Sequence, residues 1–483
     1  MTLEIFKEEL QQAVEDGSLA QGVIGEGVMI PGAKGDVPLV YADYVASGRA
    51  LRQVEEYIAK QVLPYYANSH TEASFCGAYM TQLRRAARAE IARLTQATGR
   101  DAVIFAGAGA TAGLNRLVSL FGVNEARNPV VFIGPYEHHS NILPWRESRA
   151  KVVEIPEAPE GGLDLQALQQ ALLDHASSDL IIGSFSAASN VTGILTNPDA
   201  ISCMIHAVGG LVVWDYAGAG PYVPISMAGG QDAADNQPSL GTHKDAVVIS
   251  PHKFAGGPGA SGVLIVNRDA VRRRSPSWPG GGTVSFVSPW GHDYSTDLAA
   301  REEAGTPNVI GDIRAALAFL VKEAVGADEI AAKEARFAAM ARAGWGGNPQ
   351  LTLLGHPSAH RLPIFSFTVR GLSGAPVHQQ LFTRMLSDHY GIQARGGCAC
   401  AGPYAHRLLD IDEAESTALF DALKAGKELQ KPGWIRLNFS YLMTEKTAQY
   451  IIDSVNDLAR RAEELAASYE ADPKTARFQP FAA

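Results

Sequence analysis

The sequence predicts an α/β protein in which a largely parallel sheet is covered on both faces and a smaller α+β domain follows. Three observations carry this. Short β-branched runs alternate with helical stretches through the middle of the chain. Those runs are continuously apolar rather than alternating, as strands buried on both faces are. Beyond about residue 349 the order and spacing of the elements change. The 483 residues leave room for two or three domains at roughly 100–200 residues each.

The central strands are read at Val103–Phe105, Val130–Ile133, Leu180–Phe185, Leu211–Trp214, Val247–Ile249 and Val263–Val266, with helices such as Leu165–His175 between them. Downstream, a strand at Ile364–Val369, a helix at Val377–Tyr390, and strands at Ile392–Arg395 and Trp434–Phe439 form the smaller unit. From about Glu445, residues Ile451, Val455, Leu458, Ala462 and Leu465 fall on one helical face at steps of three and four. The resulting division is an N-terminal segment (1–40) packing with the small domain, a large domain (41–325), the small C-terminal domain (326–472) and an arm-like tail (473–483). Gly229–Gly241, rich in Gly, Asp, Asn and Ser, reads as an inserted loop.

Composition excludes several classes of function. A formal net charge of -10 argues against nucleic-acid binding, which needs clustered Lys and Arg; the one dense run, Arg272–Arg274, reads as a solvated loop or helix end. No run reaches the ~20 apolar residues of a membrane span and no signal peptide is visible, so a soluble cytoplasmic protein is expected. Four cysteines are too few for a disulfide framework. The Cys398-x-Cys400 pair lacks the second Cys/His pair of a structural zinc site, so no metal is expected.

The polar motifs lie in loops that follow strands, the edge where ligands of doubly wound folds bind. Ser250-Pro251-His252-Lys253-Phe254-Ala255-Gly256-Gly257 follows the strand Ala246–Ile249 and places Lys253 in a Gly-rich turn. Partial burial beside other cations would lower the pKa of such an amine toward its nucleophilic form. Asp215 closes Leu211–Trp214, where an acid can pair with a protonated ring nitrogen. The turn Gly107-Ala108-Gly109-Ala110-Thr111 offers backbone N–H groups, a hydroxyl and a helix N-terminus to a phosphate. His138, after the strand Val131–Ile133, could lie flat on an aromatic ring. Each feature by itself fits a surface turn, a helix cap or a structural histidine as well.

Their order, phosphate turn, histidine, Asn190, aspartate, lysine, resembles the fold-type I pyridoxal-phosphate enzymes, specifically the class V aminotransferase and cysteine desulfurase group. The resemblance runs from about Tyr41 to about Glu463. Glu137-His138-His139-Ser140-Asn141-Ile142-Leu143-Pro144-Trp145 is similar to the Glu-His-His-Ala-Asn-Ile-Val-Pro-Trp segment of SufS-type desulfurases. The resemblance implies a mostly parallel seven-stranded sheet and a pyridoxal 5'-phosphate cofactor. It makes Lys253 the Schiff-base lysine, Asp215 the partner of the pyridine nitrogen and His138 the ring-stacking group. Ala110, Thr111, Ser250 and His252 then hold the phosphate, and Asn190 lies near the cofactor hydroxyl and substrate. Gly281-Gly282-Thr283 resembles the loop that reaches a partner subunit's phosphate, which implies a homodimer. Glu303-Ala304-Gly305-Thr306-Pro307-Asn308 is a further signature of the group. One departure concerns the family's Asp-x-Ala-Gln, which here reads Asp215-Tyr216-Ala217-Gly218.

By the same resemblance Arg436 grips the substrate carboxylate, with Asn438 where the family has serine, and Arg395 opens the loop carrying the sulfur-accepting cysteine. Five residues on lies Cys400, the candidate acceptor, with Cys398 beside it. The implied function is desulfuration of L-cysteine to L-alanine with a persulfide on the enzyme, handed to a sulfur-acceptor protein. The lost glutamine leaves open another class V reaction on an amino acid, as epimerase, aminotransferase or C–S/C–Se lyase. A non-catalytic scaffold of the same fold is the alternative of a different class.

Overall fold

Apolar β-branched segments between helices build the central sheet as expected. The computed structural model describes residues 2–69, 72–230 and 241–481. The chain divides into two units, the first comprising Met1–Val23, Ser47–Ala188 and Leu195–Ala327, the second Ile24–Ala46, Ser189–Ile194 and Asp328–Ala483. The 1–40 segment is thus shared between the units, and the second unit includes two short pieces from earlier in the chain. Most of the Gly229–Gly241 loop, residues 231–240, lies outside the described residues.

The first unit holds seven strands: β1 (Asp101–Gly107), β2 (Pro129–Ile133), β3 (Lys151–Glu154), β4 (Leu180–Ser186), β5 (Leu211–Asp215), β6 (Ala246–Ile249) and β7 (Gly262–Asn267). Their order is β1-β7-β6-β5-β4-β2-β3. β7 runs antiparallel to both neighbours, and the remaining pairs are parallel. The sequence reading had missed β3, whose Lys151 and Glu154 ends and partial exposure hide the apolar signal of an edge strand. Because β1 to β6 run in one direction, the loops leaving β1, β2, β5 and β6 share one edge of the sheet.

Helix α1 (Gly109–Leu120) starts directly after β1 and has no side-chain cap at Ala108. Its first N–H groups therefore depend on other partners. Gly262 makes room for this turn, since a Cβ there would sit 2.3 Å from the Gly109 carbonyl oxygen. Beneath α1 lies an apolar layer that includes Ile104, Leu114, Leu117, Val131, Ile182, Val213, Val248 and Leu264.

In the second unit an antiparallel sheet contains β8 (Leu351–Leu353), β9 (Ile364–Arg370), β10 (Pro376–Val377), β11 (Arg395–Gly397) and β12 (Trp434–Asn438). The order is β8-β9-β12-β11, with β10 on β9. Helices α2 (Gln379–Tyr390) and α3 (Glu445–Ala466) bury Met385, Leu386, Ile451, Val455 and Leu458 in a core with Phe365, Phe367, Ile435 and Leu437. Val40–Tyr41 pairs in parallel with Ile392–Gln393. Asn438 N–H then donates to Ala42 O (2.9 Å), and Asn438 Oδ1 accepts from Val45 N–H (3.1 Å). The expected arm-like tail instead folds back, with Tyr469–Asp472 pairing Arg477–Pro480. Among the described residues no helix is long and apolar enough to cross a membrane.

Candidate active site

In the first unit, residues from four loops converge. Ser250, just past β6, accepts a hydrogen bond on Oγ from Ala110 N–H at 2.9 Å. Gly109 bends the turn at φ +57, and a Cβ there would meet Ser250 Oγ and His252 Cε1 at 3.0 and 3.1 Å. Thr111 Oγ1 lies 2.7 Å from Ser140 Oγ. His138 in turn accepts from Ser140 N–H on Nδ1 at 3.1 Å. The structure thus brings together Ala110, Thr111, Ser250, His252 and His138, with Ser140, which sequence reasoning had given no role. A hydroxyl-lined turn at an uncapped helix N-terminus is a phosphate-binding arrangement.

Asp215 ends β5 with its side chain buried, and among the described residues the one hydrogen bond to its carboxylate comes from Ala217 N–H at 2.8 Å. Burial raises its pKa, against the pull of that N–H and of the Lys253 charge. A buried carboxylate so sparsely bonded calls for a cationic donor, and a protonated pyridine nitrogen meets that need. The residues present therefore fit pyridoxal phosphate. Lys253 closes a short 3-10 turn, its N–H donating to Ser250 O at 3.0 Å. Burial and the Lys253 charge push His252 down to about 4, so its ring is neutral near pH 7.

Glu137 lies under this group and is also a residue whose role the sequence reading missed. Its carboxylate accepts from Gly134 N–H (3.2 Å), Ser186 N–H (2.9 Å), Ser186 Oγ (2.6 Å) and Asn141 Nδ2 (2.6 Å). Burial pushes it up to about 7, with the Ser186 and Asn141 bonds opposing. Asn141 Oδ1 passes the network on, accepting from Ser184 Oγ and Trp145 Nε1. Its location inside the Glu-His-His motif was the available signal. Thr283 stands apart from this group: it is fully buried, and its hydroxyl donates to Gly280 O at 2.7 Å in its own turn.

The second unit holds the other candidates. Arg436, on β12, is 3% exposed and donates through Nη2 to Asp43 Oδ1 (2.7 Å) and through Nη1 to Asn190 O (3.1 Å). Its Nε has no partner among the described residues. Burial lowers its pKa, with Asp43 opposing. Arg395, on β11, donates through Nε to Asp43 Oδ2 at 3.0 Å. Asp43, which joins both arginines, gave no local signal beyond being an acid inside the apolar run Val40–Val45.

Past β11 the chain turns on Ala401 N–H to Cys398 O (3.1 Å), with Ala399 and Cys400 both left-handed at φ 51 and 55. That is the backbone of a turn favouring Asn-Gly, and side chains with a Cβ adopt it at a cost. Asn190 Nδ2 holds the turn by donating to Ala399 O at 2.8 Å. Cys400 is exposed and Cys398 half-buried, both free thiols.

The family model for class-V aminotransferases matches residues 40–449. The chain belongs to the class-V aminotransferase family. Members of this family use pyridoxal phosphate, in keeping with the fit of the first unit's residues. Among its relatives, a cysteine desulfurase of Escherichia coli O127:H6 is 30% identical over 373 residues, covering 76% of this chain and 85% of the relative. A cysteine desulfurase from Thermococcus onnurineus NA1 superposes with a TM-score of 0.70 at 22% identity, over 87% of this chain and 94% of that one. The cysteine desulfurase CsdA from Escherichia coli gives 0.65 at 22% identity, over 88% and 94%. This class-V chain therefore has the fold that its central sheet and C-terminal unit predicted.

Proposed function

We propose that the chain is a pyridoxal-phosphate-dependent cysteine desulfurase, converting L-cysteine to L-alanine and leaving a persulfide on Cys400. The observation that carries this reading is one hydrogen-bonded chain in the second unit. Arg436 donates to the Asn190 carbonyl, and the Asn190 amide donates to the turn that presents the Cys400 thiol. A carboxylate-binding cation and an exposed nucleophile are thereby joined through one asparagine. The relatives that bear the name cysteine desulfurase support the same reading.

Bound pyridoxal phosphate supplies an aldehyde for the substrate amine and a ring that withdraws electrons from the substrate Cα. Ala110, Thr111, Ser250 and His252 would hold its phosphate, His138 would pack against its ring, and Asp215 would keep its ring nitrogen protonated. Lys253 Nζ anchors the cofactor and moves the proton at the substrate Cα. Arg436, Arg395 and Asn190 orient the substrate. Cys400 Sγ, as thiolate, then attacks the substrate sulfur: the Cβ–S bond breaks with its electron pair left on the carbon, an S–S bond forms, and Cβ takes up the proton that the thiol gave up, so that the carbon leaves as alanine. The persulfide passes to a sulfur-acceptor protein.

The partner subunit in this proposal is a second copy of the chain. Thr283 is buried in its own turn, so the approach to the other subunit's phosphate falls to the exposed Gly281-Gly282 beside it, and the neighbouring hairpin (Val284–Ser288 with Gly291–Tyr294) exposes Phe286, Val287 and, at 92%, Trp290. Such an apolar surface fits burial against a partner. A monomer in solution that binds cofactor and turns over would refute this arrangement.

Cys400→Ser is expected to abolish persulfide formation and sulfide release while the cofactor absorbance still responds to L-cysteine. If Cys398→Ser alone gives that phenotype, the acceptor is Cys398. A second reading is favoured by Gly218 in the place of the family glutamine. Epimerisation, transamination or elimination needs no acceptor thiol. Full turnover of an amino acid by the Cys398→Ser/Cys400→Ser double variant would establish that reading for that substrate.

A further inference from the structure

We propose that His206, His243 and Asp245 form a binding site for a divalent transition-metal ion of the zinc kind, at the edge of the central sheet opposite the candidate active site. Among the described residues this is the one group of three His, Cys, Asp or Glu side chains whose donor atoms all lie within 4.8 Å of one another. His206 stands in the last turn of the helix Pro198–Ala207, which precedes β5, and Asp245 directly precedes β6. Both therefore lie where the chain enters the sheet, away from the loops that leave it. His206 and Asp245 are 39 residues apart, and no short spacing marks them. The expectation of no metal rested on the cysteines and did not reach this group.

His206 Nε2 lies 2.9 Å from Asp245 Oδ2, and the His206 and His243 rings stack with centroids 4.1 Å apart and 10° between their planes. Two donors of a tetrahedral ion with bonds of about 2.0–2.2 Å stand roughly 3.3–3.6 Å apart, so the first pair must open by about 0.5 Å to admit one. His243 is exposed, which leaves its ring free to turn toward the same point. The surroundings are those of a held ligand set. His206 Nδ1 is 2.6 Å from Gly241 O, the kind of second bond that fixes a ligating imidazole with its other nitrogen facing the ion. Asp245 Oδ2 accepts from Val212 N–H at 2.8 Å. The Asp245 backbone is tied on both sides, its N–H donating to Val212 O (3.1 Å) and its carbonyl accepting from Asn267 N–H (2.8 Å).

Both partners of His206 are oxygen acceptors, so both of its ring nitrogens carry protons, and a metal ion takes the place of the proton on Nε2. Two imidazoles and one carboxylate suit zinc and its neighbours in the first transition row, whereas magnesium and calcium favour oxygen donors alone. The charge of Lys244, between the two ligands, is balanced elsewhere: its buried ammonium donates to Asp199 Oδ1 (2.5 Å) and Thr242 O (3.1 Å). An ion pair at a helix C-terminus needs only His206 and Asp245. A metal site needs His243 as well. The bound ion joins the end of the helix to the start of β6, the strand whose other end leads into Ser250 and Lys253. Its role is structural and does not depend on which reaction occurs at that far end.

The test uses the cofactor-loaded Cys398→Ser/Cys400→Ser variant, in which the Cys-x-Cys pair cannot capture the ion, after treatment with a chelator. Zn²⁺ titrated by calorimetry is expected to bind at one equivalent per chain, to be retained through desalting and to raise the denaturation midpoint. Co²⁺, as a spectroscopic probe, should give the visible bands of nitrogen and oxygen coordination. His243→Ala in the same background should weaken Zn²⁺ binding by at least about tenfold, since even loss of an outer partner of a metal site lowers affinity by roughly 10–100-fold. Its cofactor absorbance and its midpoint in chelator should stay unchanged. Asp245→Asn keeps an acceptor for Val212 N–H and should also lose the ion; if that variant does not fold, His243→Ala, a change at an exposed residue, still decides. Zn²⁺ affinity unaltered by His243→Ala overturns the proposal, as does a parent protein that retains no Zn²⁺. Equal competition by Mg²⁺ overturns it too, because that would mark a site made of oxygens alone.

Discussion

In the first unit the candidate residues leave strands of one sheet and meet through bonds between neighbouring loops, such as Ala110 to Ser250 and Thr111 to Ser140. In the second unit they are gathered from distant stretches: Arg436 bonds Asp43 across 393 residues, and Asn190 bonds Ala399 across 209. The first group sits on relaxed backbone, with Gly109 supplying its left-handed position, whereas the second forces Ala399 and Cys400 into that region. On the proposed reading, the contrast separates a relaxed holder for a cofactor from a strained, tethered turn that presents the Cys400 thiol.

The largest expected effect tests the first group. Lys253→Ala should remove the cofactor's lysine-linked absorbance and lower turnover by on the order of 10²–10⁴-fold, the usual share of a proton-transferring residue. A variant with unchanged absorbance and the same fold would remove Lys253 from the assignment. Next, Arg436→Ala should weaken amino-acid binding by roughly 2–5 kcal/mol, because it leaves Asp43 buried beside the more exposed Arg395 alone. Titration by absorbance measures this, and unchanged affinity would move carboxylate recognition elsewhere.

Glu137 gives a smaller effect with a distinct pH signature. Its pKa rises on folding from about 4.5 to about 7, so folding takes up a proton. Its contribution to stability is present below the lower value and is lost as pH rises through the upper one. His252 runs the other way, falling from 6.5 to about 4, so its contribution is present above about 6.5 and is lost as pH falls through 4. In the wild type the two slopes oppose each other between about pH 5 and 6.5. Glu137→Gln should leave the His252 slope, so that Tm rises more steeply with pH across that window. An unchanged profile would mean that Glu137 keeps an ordinary carboxylate pKa in the fold.

The smallest effect belongs to the strained turn. Ala399→Gly should relieve a left-handed alanine and stabilise the protein by about 1 kcal/mol, read as a shift in denaturation midpoint. No gain would indicate that the Asn190 bond, rather than backbone preference, governs the turn.

Legibility in the sequence followed the same division. The strands and the motifs just after them could be read because local signals suffice: an apolar β-branched run, then Gly-rich turns, Asp215 or Lys253. Edge strand β3 escaped because its ends are charged and its residues half exposed. Asp43 escaped for another reason. Its importance arises when Val40–Tyr41 pairs with Ile392–Gln393, and no local pattern in either segment announces that pairing. The left-handed turn was equally hidden, since Ala399-Cys400 carries none of the Asn or Gly that normally marks one. The tail was misread because Tyr469–Asp472 and Arg477–Pro480 alternate exposed residues with half-buried ones, Tyr469 alone being buried, and carry little apolar content.

The long span between Asp43 and Arg436 has a consequence for the order in which the protein comes into being. Lys253 emerges from the ribosome well before Arg436, by roughly ten to forty seconds at a synthesis rate of about 5–20 residues per second. Throughout that interval Asp43 is already made and lacks Arg436, and for most of it Arg395 as well. A nascent chain can therefore assemble the loops around Ser250 and Lys253 in its first unit while the cluster around Asp43 awaits β12, and a translation product ending before β12 would contain Lys253, Asp43 and Arg395 but not Arg436.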